Sequence, residues 1–121
     1  MGPLFLPKKS KLSSRKYWIA FNLKPKGVLT VDDGAKKAIV ERGKSLLSSG
    51  LVEAKGNFEF GDPVKCVDTE GLEFARGLVN YKTEDVVKLK GIHSRDIEKI
   101  LGYKYYDEII HRDDLVVIEG E

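Results

Sequence analysis

The chain has 121 residues, 41% of them hydrophobic, which is enough for one ordinary domain that folds without disulfide bonds. Its 21 lysines and arginines against 19 acids give a formal net charge of +2, and the single cysteine, Cys66, excludes an intrachain disulfide framework and favours a cytoplasmic protein. No window approaches the roughly 18 apolar residues of a membrane-spanning helix, so we expect no membrane partner.

Positive charge is concentrated at the start of the chain. Residues 1–31 contain seven lysines and arginines and no acid, whereas all 19 acids follow them. Residues 1–16 combine two prolines with clustered basic side chains, which predicts an extended lead-in before a folded domain at residues 17–121. A basic arm of this kind is typical of a solvated linker or of a nucleic-acid contact, and the sequence leaves both open.

The next part of the chain predicts short strands around one helix. Strands are expected at Tyr17–Leu23 and Gly27–Val31, which are rich in aromatic and β-branched residues. A helix is expected at Asp32–Arg42, with Thr30 opening a capping box and Gly43 as a left-handed stop. Three further strands are predicted at Leu51–Ala54, Phe58–Phe60 and Val64–Val67.

A hairpin is predicted next. The residues Asp68-Thr69-Glu70-Gly71 have the composition of a type I turn, which would join Val64–Val67 to a second strand at Leu72–Tyr81. Within that second strand, Gly77 is predicted to form a bulge, because the apolar residues before and after it lie on opposite parities.

Two short helices and a closing strand complete the prediction. Thr83 and Ser94 are the expected helix caps, and Gly91 and Gly102 are the expected stops. The closing strand is predicted at Leu115–Ile118. Six or seven short strands with two or three short helices indicate an α+β, mainly β fold of the small-barrel type.

Two motifs resemble catalytic sites but have the wrong spacing. Arg42-Gly43-Lys44-Ser45 contains the Gly-Lys-Ser of a phosphate-binding loop, but Ala38 stands where that loop needs its first glycine. His111-Arg112-Asp113 looks like the protein-kinase triplet, but Ile118 stands where the magnesium-binding Asn belongs. We therefore expect His111 to be hydrogen-bonded to the backbone, with a turn after it.

No other catalytic or metal-binding constellation is predicted. The only histidines, His93 and His111, and the only thiol, Cys66, are not spaced as zinc ligands. Paired carboxylates fall at predicted caps and turns, where structural roles explain them. Cys66 sits in a predicted strand and is expected to be a small buried hydrophobe.

One surface remains as a candidate for nucleic-acid or interdomain contacts. It combines basic residues of the first helix and its exit with a segment that offers an amide, a ring and two cations. The alternatives are that the lysines are only solvated and that Tyr81 belongs to the core. The candidate residues are Lys36, Lys37, Arg42, Lys44, Arg76, Asn80, Tyr81 and Lys82.

Long runs of the sequence resemble a known family. Residues 29–51 (LTVDDGAKKAIVERGKSLLSSGL) and 56–86 (GNFEFGDPVKCVDTEGLEFARGLVNYKTEDV) are similar to PUA domains, and more narrowly to the C-terminal PUA domains of bacterial glutamate 5-kinases. RKYWIAF (15–21), HSRDIEKILGY (93–103) and IHRDDLVV (110–117) point the same way. The resemblance implies a PUA-like pseudo-barrel.

The resemblance also implies a role. In that family the full-length enzyme transfers the ATP γ-phosphate to the side chain of glutamate, the first step of proline synthesis. ATP, Mg and every catalytic residue would belong to an amino-acid-kinase domain of the same polypeptide, and that parent is expected to be a homo-oligomer. This chain is then expected to be non-catalytic. Two roles stay open: modulating the kinase's regulation, including inhibition by proline, or binding structured RNA through the first helix and its exit loop.

Overall fold

The computed structural model describes residues 18–19 and 23–118; residues 18 and 19 are helical, and residues 23–118 form seven strands, three α-helices and three 3-10 turns. The strands are β1 (Gly27–Val31), β2 (Leu46–Leu47), β3 (Leu51–Gly56), β4 (Pro63–Val67), β5 (Glu73–Leu78), β6 (Glu108–Ile110) and β7 (Leu115–Val117). The helices are α1 (Asp33–Arg42), α2 (Thr83–Lys88) and α3 (Ile97–Leu101), and the 3-10 turns are Ser48–Gly50, Ser94–Asp96 and Arg112–Asp114. The α+β, mainly β class is thus confirmed. The lead-in predicted at residues 1–16 lies outside the described residues.

Five strands form one mixed sheet in the order β3-β1-β4-β5-β7. The β1–β4 pair is parallel, and the other three pairs are antiparallel. The two short strands β2 and β6 form a second, antiparallel sheet. Because side chains alternate across a strand, Leu29 and Val31 of β1 point into the core while Val28 and Thr30 lie half-buried on the other face. The five-stranded sheet therefore has an inner and an outer face.

The core lies on the inner face of this sheet. Its largest fully buried side chains include Tyr81, Phe58 and Leu29, and α1 contributes Ile39. Cys66 is fully buried in the same cluster, which confirms the prediction that it is a small hydrophobe. Burial raises the pKa of its thiol to about 12, with a smaller contribution from the charge of Glu73.

A small apolar cluster covers part of the outer face. Ile19 and Val116 are its buried members, and Leu23, Leu78 and Ile118 pack against them. The strand predicted at Tyr17–Leu23 is wrong at residues 18 and 19, which are helical. The physical reason is that burial of Ile19 against Val116 outweighs the strand preference of the aromatic and β-branched residues around it.

Helix α1 ends as predicted but starts on a different residue. Its N-cap is Asp32, whose side chain accepts a hydrogen bond from the N–H of Ala35 at 2.8 Å. Thr30 belongs to β1 instead, so the predicted capping box is wrong. The stop at Gly43 is confirmed, since this residue has φ 65° and its N–H bonds back to carbonyls of α1.

The strand predicted at Phe58–Phe60 is wrong, and so is the prediction that Thr83 caps a helix. Hydrogen bonds between Phe58 and Thr83 explain both differences. The Phe58 N–H donates to Thr83 Oγ1 at 2.8 Å, and the Thr83 hydroxyl donates to the Phe58 carbonyl at 3.1 Å. Thr83 is therefore the first residue of α2, with Lys82 as an N-cap that makes no side-chain bond. A long-range hydrogen bond has replaced the local one that the pattern predicted.

Ser94 likewise begins a 3-10 turn rather than capping a helix. The cap is His93, whose side chain accepts the N–H of Arg95 at 3.1 Å. The stop at Gly102 is confirmed by its φ of 87° as the C-cap of α3. Helix α2, in contrast, is capped by Leu89, two residues before the predicted Gly91.

The predicted hairpin is confirmed as β4 and β5, but its bulge lies elsewhere. The carboxylate of Asp68 holds the turn by accepting the N–H groups of Glu70 at 2.9 Å and Leu72 at 3.0 Å. The register shifts at Phe74, between the pairs Cys66–Ala75 and Val67–Glu73.

Gly77 keeps regular pairing with Val64 and Leu115, so it is not a bulge. Its missing side chain serves packing: a Cβ there would lie 2.7 Å from Ile110 Cγ2 and 2.8 Å from the Asp114 carbonyl oxygen.

Candidate nucleic-acid interface

An open groove of about 630 Å³ lies beside the start of α1. Its other walls are the segment 44–50 and the chain around the 3-10 turn Arg112–Asp114. The cationic or titratable basic side chains that line it are Lys44, His111 and Arg112, and the acids are Asp32 and Glu108. The carboxylate of Asp32 is already committed to the N–H of Ala35.

Two long-range contacts assemble the groove. The Arg112 N–H donates to Ser45 Oγ at 2.7 Å, which ties the exit of α1 to a turn 67 residues further along the chain. Beside this contact, Leu46 of β2 pairs with Ile110 of β6. The side chains that follow α1 and those that follow β6 therefore face one cavity.

His111 has a defined place in this wall. Its Nδ1 accepts the N–H of Asp113 at 3.0 Å, and it lies 3.6 Å from Asp113 Oδ2. The prediction that this histidine is hydrogen-bonded to the backbone is confirmed. Because Nδ1 accepts, the neutral ring carries its proton on Nε2 and has that N–H to offer as a donor.

Small residues form the floor of the groove. Ala35, Ala38 and Gly50 line it, and the Asp32 N–H donates to the Gly50 carbonyl at 2.9 Å. A Cβ on Gly50 would lie 2.5 Å from the Cβ of Ala35, so α1 and the turn Ser48–Gly50 touch through their smallest side chains.

The predicted surface residues do not form one patch. Lys44 lines the groove, whereas Lys37 and Arg42 are exposed on α1 without lining it. Lys82 is exposed at the start of α2, 3.8 Å from a carboxylate oxygen of Glu84. Of the eight candidates, the groove contains one.

Lys36 is committed to the hairpin turn. Its Nζ lies 2.9 Å from Asp68 Oδ2 and 5.5 Å from the centroid of the Phe74 ring. The hydrogen bond from Lys36, followed by those from the N–H groups of Leu72 and Glu70, lowers the pKa of Asp68 to about 2. Lys36 thus has a structural partner in the folded chain.

Asn80 and Tyr81 are buried. Of the two alternatives for Tyr81, the one that places its ring in the core is therefore correct. The Tyr81 hydroxyl donates to the Tyr106 carbonyl at 2.6 Å and accepts the N–H groups of Tyr105 and Tyr106 at 3.0 and 2.9 Å. Asn80 Nδ2 donates to the Glu108 carbonyl at 3.2 Å. Tyr81 thus holds the segment before β6, and Asn80 holds the first residue of β6.

Arg76 lies away from the groove. It sits half-buried in β5, with Nε 2.5 Å from Glu73 Oε2. Its side chain belongs to the outer face of the five-stranded sheet, where it lines a separate cleft.

Sequence reasoning missed the contribution of Ser45, Glu108, His111 and Arg112 to the groove. The triplet that begins at His111 resembles a kinase motif with the wrong spacing, and nothing in its sequence predicts that it lines a groove. No local pattern signals that it meets the exit of α1, because that contact depends on the pairing of β2 with β6.

Neither a metal centre nor a membrane span is found in the part of the chain that the structure describes. Across residues 18–19 and 23–118, no three His, Cys, Asp or Glu side chains are grouped so that they could hold a metal ion. Over the same ranges, no helix is long and apolar enough to cross a bilayer.

Comparison with known proteins decides the family. A family model of the PUA domain matches residues 27–101, which is more than half of the chain. The chain belongs to the PUA domain family. A solved PUA domain from Aeropyrum pernix K1, crystallised as a tartrate complex, is 20% identical and covers 80% of this chain and 48% of that one with a TM-score of 0.53. That likeness confirms the predicted fold.

The PUA domain is also similar to part of a longer enzyme. It is 60% identical over 119 residues to a glutamate 5-kinase of Caldanaerobacter subterraneus subsp. tengcongensis, covering 98% of this chain and 32% of that protein. It is 58% identical over 118 residues to the glutamate 5-kinase of Syntrophus aciditrophicus, covering 31% of that protein. The chain thus spans about one third of the length of these relatives. The resemblance to their PUA portion is confirmed.

Proposed function

We propose that this PUA domain is the accessory, non-catalytic part of a glutamate 5-kinase polypeptide. The observation that supports this proposal is the match to a glutamate 5-kinase: the identity is 60%, and the match covers 98% of this chain but only 32% of that relative. In the parent, transfer of the ATP γ-phosphate to glutamate, with Mg, is assigned to an amino-acid-kinase domain elsewhere in the same polypeptide. We further propose a cytoplasmic homo-oligomer as the parent's state.

The assignment of chemistry to another domain is tested on the isolated chain. The 121-residue chain, incubated with ATP, Mg and glutamate, is expected to form no ADP above the enzyme-free background. The full-length parent assayed in parallel serves as the positive control. Glutamate-dependent turnover by the isolated chain contradicts the proposal.

The domain's proposed task is to modulate how the kinase is regulated. The groove beside α1 is a surface on which the kinase domain can dock, because it combines exposed cations with a floor of small residues. Lys44→Ala with Arg112→Ala in the full-length parent is expected to shift the proline concentration for half-inhibition and to leave uninhibited turnover intact. Lys88→Ala with Lys99→Ala, two exposed lysines outside the groove, is the charge-matched control. An unshifted inhibition curve in the groove variant removes this role for the groove.

RNA is the second candidate occupant of the same groove. The observation that favours it is the convergence of Lys44, His111 and Arg112 on one open cavity of a PUA domain. Phosphate contacts release counterions, so affinity for a structured RNA should fall steeply with salt. The pair Lys44→Ala and Arg112→Ala should weaken binding, whereas Lys88→Ala and Lys99→Ala should change it little. Binding that is absent or insensitive to salt counts against RNA.

A further inference from the structure

Four aromatic rings form a continuous strip on the surface, where the segment before β6 meets the loop between β3 and β4. Tyr105 lies at its centre: its ring stacks on that of Tyr103 with 5.0 Å between centroids and meets the ring of Phe60 edge-on at 6.3 Å. The rings of Phe60 and Tyr106 lie 6.0 Å apart. We call these four residues, Phe60, Tyr103, Tyr105 and Tyr106, the aromatic strip.

Much of the aromatic strip is open to solvent. Phe60, Tyr105 and Tyr106 are 53%, 58% and 46% exposed, and Tyr103 is half-buried. An aromatic side chain has about 150–250 Å² of surface, so three half-exposed rings leave about 300 Å² accessible. Single exposed apolar side chains need no explanation, but a contiguous patch of about this size is often a functional surface.

Buried groups hold the tyrosines of the strip in place. The Tyr81 hydroxyl accepts the N–H groups of both Tyr105 and Tyr106, and its ring stacks on that of Tyr105. The Tyr103 hydroxyl donates to Asp85, a buried carboxylate of α2, at 2.5 Å. The segment between α3 and β6 is thus ordered although it forms neither helix nor strand. A surface that is ordered in advance loses little conformational freedom on binding.

The turn that carries Phe60 is fixed in the same way. Asp62 Oδ2 accepts the N–H of Glu59 at 2.9 Å, and the Gly61 N–H donates to the Val79 carbonyl at 2.7 Å. Two segments that lie far apart in the sequence therefore present their rings side by side as one pre-ordered surface.

The area of the aromatic strip decides which kind of partner suits it. A stable complex of two separate proteins buries about 800 Å² on each partner, more than twice the exposed area of the rings, which disfavours a second copy of this chain. A domain of the same polypeptide needs less area, because the covalent link supplies a local concentration in the millimolar range. This chain matches only 32% of the Caldanaerobacter relative, so about two thirds of such a polypeptide is available as a partner.

We propose that the aromatic strip packs against the kinase part of the parent polypeptide and anchors the PUA domain to it. Tyrosine suits such a contact, because its ring supplies apolar area while its hydroxyl bonds at the edge of the interface. This inference rests on the proposed function, from which it takes the partner. It adds a second contact surface, since none of the described residues that line the groove beside α1 belongs to the strip.

The test is photo-cross-linking in the full-length parent. The variants Tyr106→p-benzoylphenylalanine and Phe60→p-benzoylphenylalanine keep an aromatic ring at the strip and bond covalently to contacting groups on irradiation. Mass spectrometry should identify cross-linked peptides from outside the 121-residue chain. The same substitution at Leu72, which is 62% exposed in the hairpin turn, is the control and should give several-fold less of this product. Circular dichroism of the 121-residue chain with each substitution checks that the domain stays folded.

The outcomes separate the possible occupants of the strip. Products confined to peptides of the 121-residue chain overturn the proposal, whether they join two copies or stay within one. Equal yields from the strip and from Leu72 overturn it as well.

Glutamate-dependent turnover of the same samples distinguishes this inference from the proposed function. Turnover without cross-links to the rest of the polypeptide removes only the contact at the strip. Cross-links in a parent that does not phosphorylate glutamate remove the proposed function and leave the contact between the two parts of the polypeptide.

Discussion

Tyr81 has a ring that could stack on a base, but in this domain the ring is buried and stabilises the fold. Its ring stacks against that of Tyr105, with 5.5 Å between ring centroids, and its hydroxyl satisfies three backbone groups of the segment before β6. The sequence places it near Arg76 and Lys82, which left a surface role open beside a role in the core. Burial is decided by how distant elements pack, and that information is not local.

Removing the Tyr81 hydroxyl should therefore lower stability. Tyr81→Phe leaves the N–H groups of Tyr105 and Tyr106 without the acceptor they have in the folded chain, so we expect a loss of about 1–3 kcal/mol in the free energy of unfolding. Urea denaturation followed by circular dichroism measures it. Tyr106→Phe, at a residue that is 46% exposed, is the control and should change stability by less than about 0.5 kcal/mol. Equal stability of Tyr81→Phe and wild type would contradict the assigned hydrogen bonds.

Asp68 should make the stability of the domain depend on pH. Its pKa is lowered in the folded chain from 3.8 to about 2, chiefly by the hydrogen bond from Lys36. A lowered pKa means that the stabilisation is present above pH 3.8 and is lost as the pH falls towards 2. Asp68→Asn should be less stable than wild type at neutral pH, with a difference that shrinks over that acidic window.

Urea unfolding at a series of pH values measures this difference. Lys36→Gln is the informative companion, because it removes the first cause of the shift and should flatten the same pH dependence. Parallel curves for wild type and Asp68→Asn across the acidic range would show that the Lys36–Asp68 contact contributes no pH-dependent stability.

At the scale of elements, the sequence predicted well wherever the signal is local. Strand β1, the stop of α1 at Gly43 and the hairpin turn at Asp68 all depend on alternation or on backbone freedom within a few residues. The errors share the opposite property. Thr83 bonds to Phe58 across 25 residues, and Trp18 and Ile19 adopt a helical turn that buries Ile19 against Val116. In each case tertiary contact overrides the propensity of the segment.

A substitution at Gly77 tests how the two sheets pack on each other. Gly77→Ala would place a Cβ 2.7 Å from Ile110 Cγ2 and 2.8 Å from the Asp114 carbonyl oxygen, so overpacking should cost about 1–3 kcal/mol of stability. Gly34→Ala is the matched control, because its nearest contact would be 3.7 Å and the site lies within α1. It should stabilise the domain by about 0.5–1 kcal/mol. Thermal melts that rank the two variants in the reverse order would contradict this packing.

At the scale of the whole molecule, basic residues that are grouped in the prediction lie on different surfaces of the folded domain. The sequence suggested a single basic surface that included Lys44 and Arg76. The structure divides these residues between the groove beside α1, which Lys44 lines, and a separate cleft on the outer face of the five-stranded sheet, which Arg76 lines. Strand order decides this division, and no local pattern encodes the order of strands in a sheet. The family and its fold, in contrast, were readable from long runs of sequence.

The central claim is that this PUA domain regulates a kinase whose chemistry lies elsewhere in the polypeptide. The most direct measurement compares the full-length parent with a form that lacks residues 27–121, recording glutamate phosphorylation at increasing proline. We expect the truncated enzyme to retain turnover without proline and to show a shifted or weakened inhibition curve. An inhibition curve that is identical with and without the domain would contradict the account, as would loss of turnover in a truncated enzyme that remains folded.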